Sequence, residues 1–369
     1  MMGEKTISIS FVGDISLNAK YNELYEKGEK PFEEIGNFLA DSDLVVGNLE
    51  CFAESKQGEN LLKKPRLKTK LETLNYLKDI NLGLACLANN HFYDNLEEGF
   101  QETINFLTNN NINYIGASMT GREEIPFIFE KYGISVAILN YVTPDTNPHL
   151  PEDAKVKPNW FYLKKVEQDI VNLRNKVDYI IVYPHWGGKM EGALLPDKEL
   201  IPIAHKIIDA GADIIIGHHS HTIQPYEIYQ GKYIFYSLGN FCFSDLIFEN
   251  RQLYLDRRRN FVGLIISAQF SKNSISMNPY KISIINNRIV PLNSIVKPSK
   301  LRKNPLLNKL WTPYLFYERK IYSTISFLFF RGKSPISQIK NINLKKILHH
   351  LGLEKSRETE KNGFLTIDS

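Results

Sequence analysis

The densest chemical signal in the chain is the run Gly217-His218-His219-Ser220-His221. Three imidazoles in four residues serve no packing purpose, and they suit a borderline divalent cation or a phosphate group. Four more polar clusters stand far apart along the chain: Gly13-Asp14, Gly47-Asn48-Leu49-Glu50, Asn89-Asn90-His91 and His185-Trp186-Gly187. Asp14 and Glu50 offer anionic oxygens, Asn90 an amide oxygen, and His185, His219 and His221 imidazole nitrogens. This mixed donor set is appropriate to Mn, Fe or Zn. In extended backbone, residues i and i+2 point the same way, so an extended histidine run would turn His219 and His221 toward one site and His218 away. Taken singly the clusters say little: Asp14 reads as a turn or cap residue, Asn89-Asn90-His91 as a polar turn, and His185-Trp186 as a core pair.

The five clusters nevertheless share one structural address. Short apolar runs at 7–12, 44–46, 82–87, 179–183 and 214–216 each end at one of them, and helix-like stretches follow from Pro31 and over 70–78, 97–107, 166–175 and 198–209. Such alternation predicts a layered α/β fold. In open α/β sheets ligands bind beyond the carboxyl ends of the strands, so residues distant in sequence can meet in one crevice. Two hairpins are predicted, turning at Tyr132-Gly133 and at Gln230-Gly231, and the second leads into Ser237-Leu238-Gly239-Asn240-Phe241. A basic, irregular insertion occupies 54–68. Beyond about residue 296, clusters of Lys and Arg with interspersed aromatics predict a basic, mainly helical extension, 296–369, with a disordered end.

The motifs GD, GNLE, ANNH, HWG, GHHSH and SLGNF, in this order, resemble those of the CapA (poly-γ-glutamate capsule biosynthesis) family, whose domain is similar to calcineurin-like metallophosphoesterases. The resemblance covers roughly residues 5–295. It implies an α/β/β/α sandwich with a C-terminal helical appendage, and two divalent metals about 3.5–4 Å apart that clamp a phosphate and acidify a bound water. Carried over by position, Asp14 resembles the first-motif carboxylate. Asn90 resembles the amide ligand of the second metal, and beside it His91 the histidine that contacts phosphate and protonates the leaving group; Asn90 and His91 are thus the catalytic candidates. His185 resembles a ligand of that same metal, and His219 and His221 the closing pair, one for each metal. His218, Asn48, Trp186 and Asn240 are placed at the substrate rim. Two positions depart from the pattern. Ser16 stands where the enzymes have His, and Asn48 where they have a bridging Asp; either Glu50 substitutes, or the first metal is weakly held.

The totals set the remaining bounds. With 43% hydrophobic and 23% charged residues the chain can build a core, and a net charge of +4 is too small to imply a nucleic-acid partner. Three cysteines, Cys51, Cys86 and Cys242, argue against a disulfide framework and for a reducing, cytoplasmic setting. Residues 1–9 lack the pattern of a signal peptide, and the longest apolar run, 321–330, is about half of what a membrane span needs. Membrane association is then expected to be peripheral at most, through the aromatic, basic tail, which is also the candidate contact for capsule synthase components. Three functions follow: a capsule or exopolymer biosynthesis protein acting on a phosphate-bearing or polyanionic substrate, a catalytically weakened assembly component, or a cytosolic phosphatase for a nucleotide or sugar phosphate.

Overall fold

The computed structural model describes residues 5–146, 148–188, 191–248, 251–253, 255 and 259–298. The chain divides into the units Met1–Leu315 and Phe316–Ser369, and every described residue belongs to the first. The helical extension expected over 296–369 lies outside the described residues, apart from 296–298.

Two sheets are built from the predicted strands. In the first, β1 (Ile7–Ile15), β2 (Leu44–Leu49), β3 (Leu82–Cys86) and β4 (Asn113–Ile115) run parallel in that order. Beyond β1 the sheet continues antiparallel through β16 (Val262–Phe270), β17 (Ile275–Ile285) and β18 (Arg288–Ile295), and β13 (Asn240–Cys242) pairs with the end of β1. In the second sheet, β7 (Ile134–Val142), β9 (Tyr179–His185), β10 (Ile214–Ile216) and β12 (Lys232–Phe235) form a parallel centre. It is edged by the hairpin strands β6 (Phe127–Lys131) and β11 (Tyr226–Tyr229). Two small ribbons, β5 (Ala117–Ser118) with β8 (Lys157–Pro158) and β14 (Leu246–Phe248) with β15 (Arg251–Leu253), lie outside these sheets.

Side-chain alternation explains the layering. Ile7, Ile9 and Phe11 of β1 face inward, against Val136 and Ile138 of β7, Ile181 and Tyr183 of β9, and Ile214 and Ile216 of β10. On the other face of the first sheet, Val12 joins Tyr21 of α1 (Lys20–Glu26), Ile35 and Leu39 of α2 (Glu33–Leu39), and Leu77 of α3 (Tyr76–Asp79). The same layer holds Phe100, Ile104 and Leu107 of α4 (Leu96–Asn109), whose spacing gives that helix one apolar stripe. The second sheet is covered by α5 (Leu163–Arg174), through Val166, Ile170 and Leu173, and by α6 (Leu200–Asp209), through Ala204, Ile207 and Ile208. The layers are therefore α/β/β/α, as expected. Truncating an inner residue such as Ile181 to Ala would cost about 2–5 kcal/mol.

Both predicted hairpins turn where expected, with positive φ at Tyr132 (57°), Gly133 (74°), Gln230 (49°) and Gly231 (76°). Helix α1 and strand β4 are not among the predicted elements, and two longer segments also differ. The helix predicted over 70–78 is a tight 3₁₀ turn, Leu71–Asn75, followed by the single turn α3. There the Asn75 side chain donates to the Glu72 carbonyl (2.8 Å), a local bond that competes with a regular helix, and the Thr73 hydroxyl donates to Asn22 Oδ1 (2.7 Å), a tertiary bond that ties the turn to α1. The antiparallel strands β16 to β18 carry no counterpart in the predicted elements. The nearly continuous apolar run 262–268 is ambiguous between strand and helix, while the Asn286-Asn287 turn, with φ of 50° and 61°, was a readable hairpin mark.

Candidate metal centre

All five clusters emerge at the carboxyl ends of parallel strands. Strand register brings Asp14 opposite Asn48 on β2 and opposite Asn240 on β13, which puts three polar side chains in one row. Gly13 makes this possible: a Cβ there would lie 2.0 Å from the Gly239 carbonyl oxygen, so only glycine lets β13 close against β1. From the facing sheet, His185 pairs in a β-bridge with His218. Just below, the Tyr183 hydroxyl donates across to the Val12 carbonyl (3.1 Å).

Asp14, Glu50 and His185 each bring a ligand atom to within 4.8 Å of the other two, and all three are buried. Asn48 sits among them. Its Nδ2 lies 2.9 Å from Asp14 Oδ1, 2.7 Å from Glu50 Oε1 and 3.2 Å from His185 Nδ1. His185 Nε2 is 3.1 Å from Asn90 Oδ1, and the His185 and His219 rings are 4.7 Å apart. His221 Nδ1 is 2.9 Å from Asn240 Oδ1 and 3.2 Å from Asp14 Oδ2, while its Nε2 is 3.7 Å from Glu50 Oε2 and 3.9 Å from Glu191 Oε1.

Fully buried polar atoms normally have a hydrogen-bond partner. Here Glu50 Oε2, His218 Nε2 and His219 Nδ1 have none, and Asp14 Oδ2 has only the 3.2 Å approach of His221 Nδ1. Three ligand-type atoms left over, and a fourth only weakly engaged, around a mixed carboxylate, amide and imidazole cluster fit a divalent cation, whose charge would engage their lone pairs.

The electrostatics divide along the same lines. Burial alone would raise Asp14, but hydrogen bonds from His218 and His221 hold it well below the usual carboxylate range. Burial, reinforced by the Asp14 charge, pushes Glu50 well above it. His221 is carried against its burial to about 10 by Glu50 and Asp14. Burial lowers His219 to about 4 and brings His185 well below the ordinary imidazole value.

Three expectations change in detail. The histidine run is not extended: His219 and His221 have φ of 95° and 56°, a left-handed backbone that costs strain outside glycine. Consequently His218 does not turn away; its Nδ1 lies 2.7 Å from Asp14 Oδ1 and its ring centroid lies 4.3 Å from that of Tyr183, tilted by 30°. Trp186 is not at the rim. Its indole is 1% exposed in the core beneath α5 and α6, and Nε1 donates to the Tyr236 carbonyl (3.0 Å). Asn48 and Asn240, also placed at the rim, are buried inside the cluster.

His91 belongs to an adjoining network that residue patterns left unmarked. Its Nδ1 is 2.6 Å from Asp94 Oδ2 and 2.9 Å from Lys63 Nζ, and Lys63 also pairs with Asp94 Oδ1 (3.1 Å) and donates to the Asn90 carbonyl. Burial, with Lys63 adding to it, lowers the His91 pKa, and burial also lowers Lys63. Asn89 Oδ1 accepts from the His91 amide (2.9 Å). Asn140 accepts from the Ala88 amide and donates to the Tyr183 carbonyl, both at 2.8 Å, tying the two sheets together at this end. Asp94 was readable as a carboxylate one helical turn after His91; Lys63, in an irregular basic loop, carried no such mark.

Comparison with known proteins agrees with the motif pattern. Residues 8–245, which contain every side chain of the cluster, match the family model described as bacterial capsule synthesis protein PGA_cap. The chain is 28% identical to the capsule biosynthesis protein CapA of Bacillus anthracis, over 64% of this chain and 60% of that protein. It is 29% identical to the PGA biosynthesis protein CapA of Bacillus subtilis (strain 168), over 65% and 64%. The matches thus span somewhat less than two thirds of these relatives. Among solved structures, the Haemophilus influenzae NAD nucleotidase (NadN) aligns with a TM-score of 0.45 at 13% identity, over 86% of this chain and 60% of that one.

Proposed function

The chain belongs to the bacterial capsule synthesis (PGA_cap) family, and from that premise we propose that it serves poly-γ-glutamate-type capsule or exopolymer biosynthesis through a metal-dependent, phosphoesterase-like site. The observation that carries this reading is the meeting of Asp14, Glu50 and His185 beside buried donor atoms with no hydrogen-bond partner. Asp14, Glu50, Asn90, His185, His219 and His221 are the residues that would hold two divalent ions of Mn, Fe or Zn. Bound there, the ions would supply charge to a phosphoryl or related group and acidify a water. Asp94 and Lys63 both face Nδ1 of His91, which leaves Nε2 to contact substrate or hand a proton to a leaving oxygen. The substrate class is a phosphate-bearing or polyanionic small molecule or polymer.

The test is hydrolysis of an aryl phosphate by metal-loaded protein. His91→Ala should lower turnover by about 10²–10⁴-fold with bound metal unchanged; no turnover by the native protein with any of the three metals would remove the catalytic part of the reading. A second reading, an assembly component of a capsule synthase with weakened catalysis, is favoured by Asn48 in place of a bridging carboxylate and by Ser16, whose hydroxyl is committed to Asn18 Oδ1 (2.8 Å). Robust turnover that disappears in His91→Ala would count against it.

A further inference from the structure

The centre of the ligand cluster is filled by an amide that points the wrong way for a ligand. The three residues whose donor atoms converge, Asp14, Glu50 and His185, are the same three that surround Asn48 Nδ2, at 2.9, 2.7 and 3.2 Å. Two hydrogens on Nδ2 face three acceptors, so the amide nitrogen presents partial positive charge where a cation's full charge would be held. The opposite end of the amide is loosely kept. Asn48 Oδ1 accepts from Asn89 Nδ2 at 3.3 Å, whereas Asn89 keeps a firmer bond to the Leu49 carbonyl at 2.8 Å.

We propose that Asn48 is a turning amide: without a cation its Nδ2 closes the ligand set, and on cation binding it rotates about Cβ–Cγ so that Oδ1 joins Asp14, Glu50 and His185 as a neutral ligand. The inference rests on the metal-centre reading above. Its physical basis is the near-identical size of the amide's two ends, so that turning needs no extra space, together with the burial of all four residues, which couples the amide dipole strongly to any charge beside it. What holds the present orientation is the ligand set's own negative charge, and a cation removes that reason. Turning gives up the Nδ2 bonds to Asp14, Glu50 and His185, whose lone pairs the cation then takes, together with the 3.3 Å bond from Asn89. The consequence for the protein is a first metal held by one carboxylate fewer than a bridging Asp would give, and therefore exchangeable.

Titration of chelator-stripped protein with Zn²⁺ and Mn²⁺ tests this in the native chain and in Asn48→Asp. The carboxylate should tighten binding by about 10–100-fold, the range over which single groups around a metal act. It should also lower the melting temperature without metal, because three carboxylates then meet unbalanced, and raise it with metal. Equal affinity in the two proteins overturns the proposal. Should Asn48→Asp not fold without metal, a zinc-loaded crystal of the native chain decides: an Asn48 side-chain atom at a coordination distance of about 2.0–2.2 Å from the ion supports it, and an amide still bonded to Asp14 and Glu50 overturns it. Failure of the native chain to take up either ion would sink the metal-centre reading as well, whereas uptake with no difference in Asn48→Asp sinks this inference alone.

Discussion

The two sides of the buried cluster balance charge in opposite ways. Toward β1 and β2, Asp14 and Glu50 are compensated from within the protein, by hydrogen bonds from His218 and by a proton that His221 holds up to about 10. Toward β3 and β9, Asn90 faces His185 Nε2, the nearest carboxylate oxygen to His185 is Glu50 Oε1 at 3.5 Å, and burial keeps His219 neutral down to about 4. One side thus carries a proton that a cation must displace, and the other offers neutral donors at once. Behind the neutral side lies a separate ion pair, Lys63 with Asp94, that touches His91 and no proposed ligand side chain. The difference suggests a division of labour: the acidic side sets how strongly and at what pH a cation is held, and the pair behind His91 sets how that ring is aimed.

The largest expected effect falls on that pair. Lys63→Met would leave Asp94 buried without its counter-ion and should destabilise the protein by about 3–5 kcal/mol, read by denaturant unfolding; a loss below 1 kcal/mol would mean that the pair is solvated. Next, the two sides should respond differently to loss of a supporting residue. His218→Ala removes the bond to Asp14 and should weaken metal binding by about 10–100-fold, whereas Asp94→Asn should leave metal binding unchanged and lower only turnover. Equal effects of both on metal affinity would erase the distinction.

The smallest effect concerns pH. A histidine whose folded pKa is raised adds stability that is fully present below its unfolded value near 6.5 and is lost as pH climbs through the folded value, here about 10. Metal-free protein should therefore lose stability between about pH 6.5 and 10. Metal affinity should rise over the same window, because cation binding displaces protons from His221 and from the raised Glu50. Parallel slopes would contradict the assignment of that proton to the acidic side.

Much of this was legible in the residues. The parallel strands announced themselves as apolar runs ending in polar clusters, and the convergence of Asp14, Glu50, Asn90, His185, His219 and His221 followed from the rule that strand ends share one crevice. The missing parts depend on three-dimensional detail. Period-2 reasoning sends His218 away from the site, but positive φ at its neighbour His219 breaks the period. Trp186 shares a motif with His185, yet it lies on the opposite face of the chain and packs into the outer core. Lys63 reaches His91 from 28 residues away through a loop with no periodicity. Asn48, read as a departure from a pattern and placed at the substrate rim, sits among Asp14, Glu50 and His185.

The most direct test is metal analysis of protein purified from medium replete with Mn, Fe and Zn, with the double variant His219→Ala, His221→Ala as control. The native chain should carry one of these metals in near-stoichiometric amount, and the variant should lose most of it. Equal and negligible metal in both would contradict the existence of the centre.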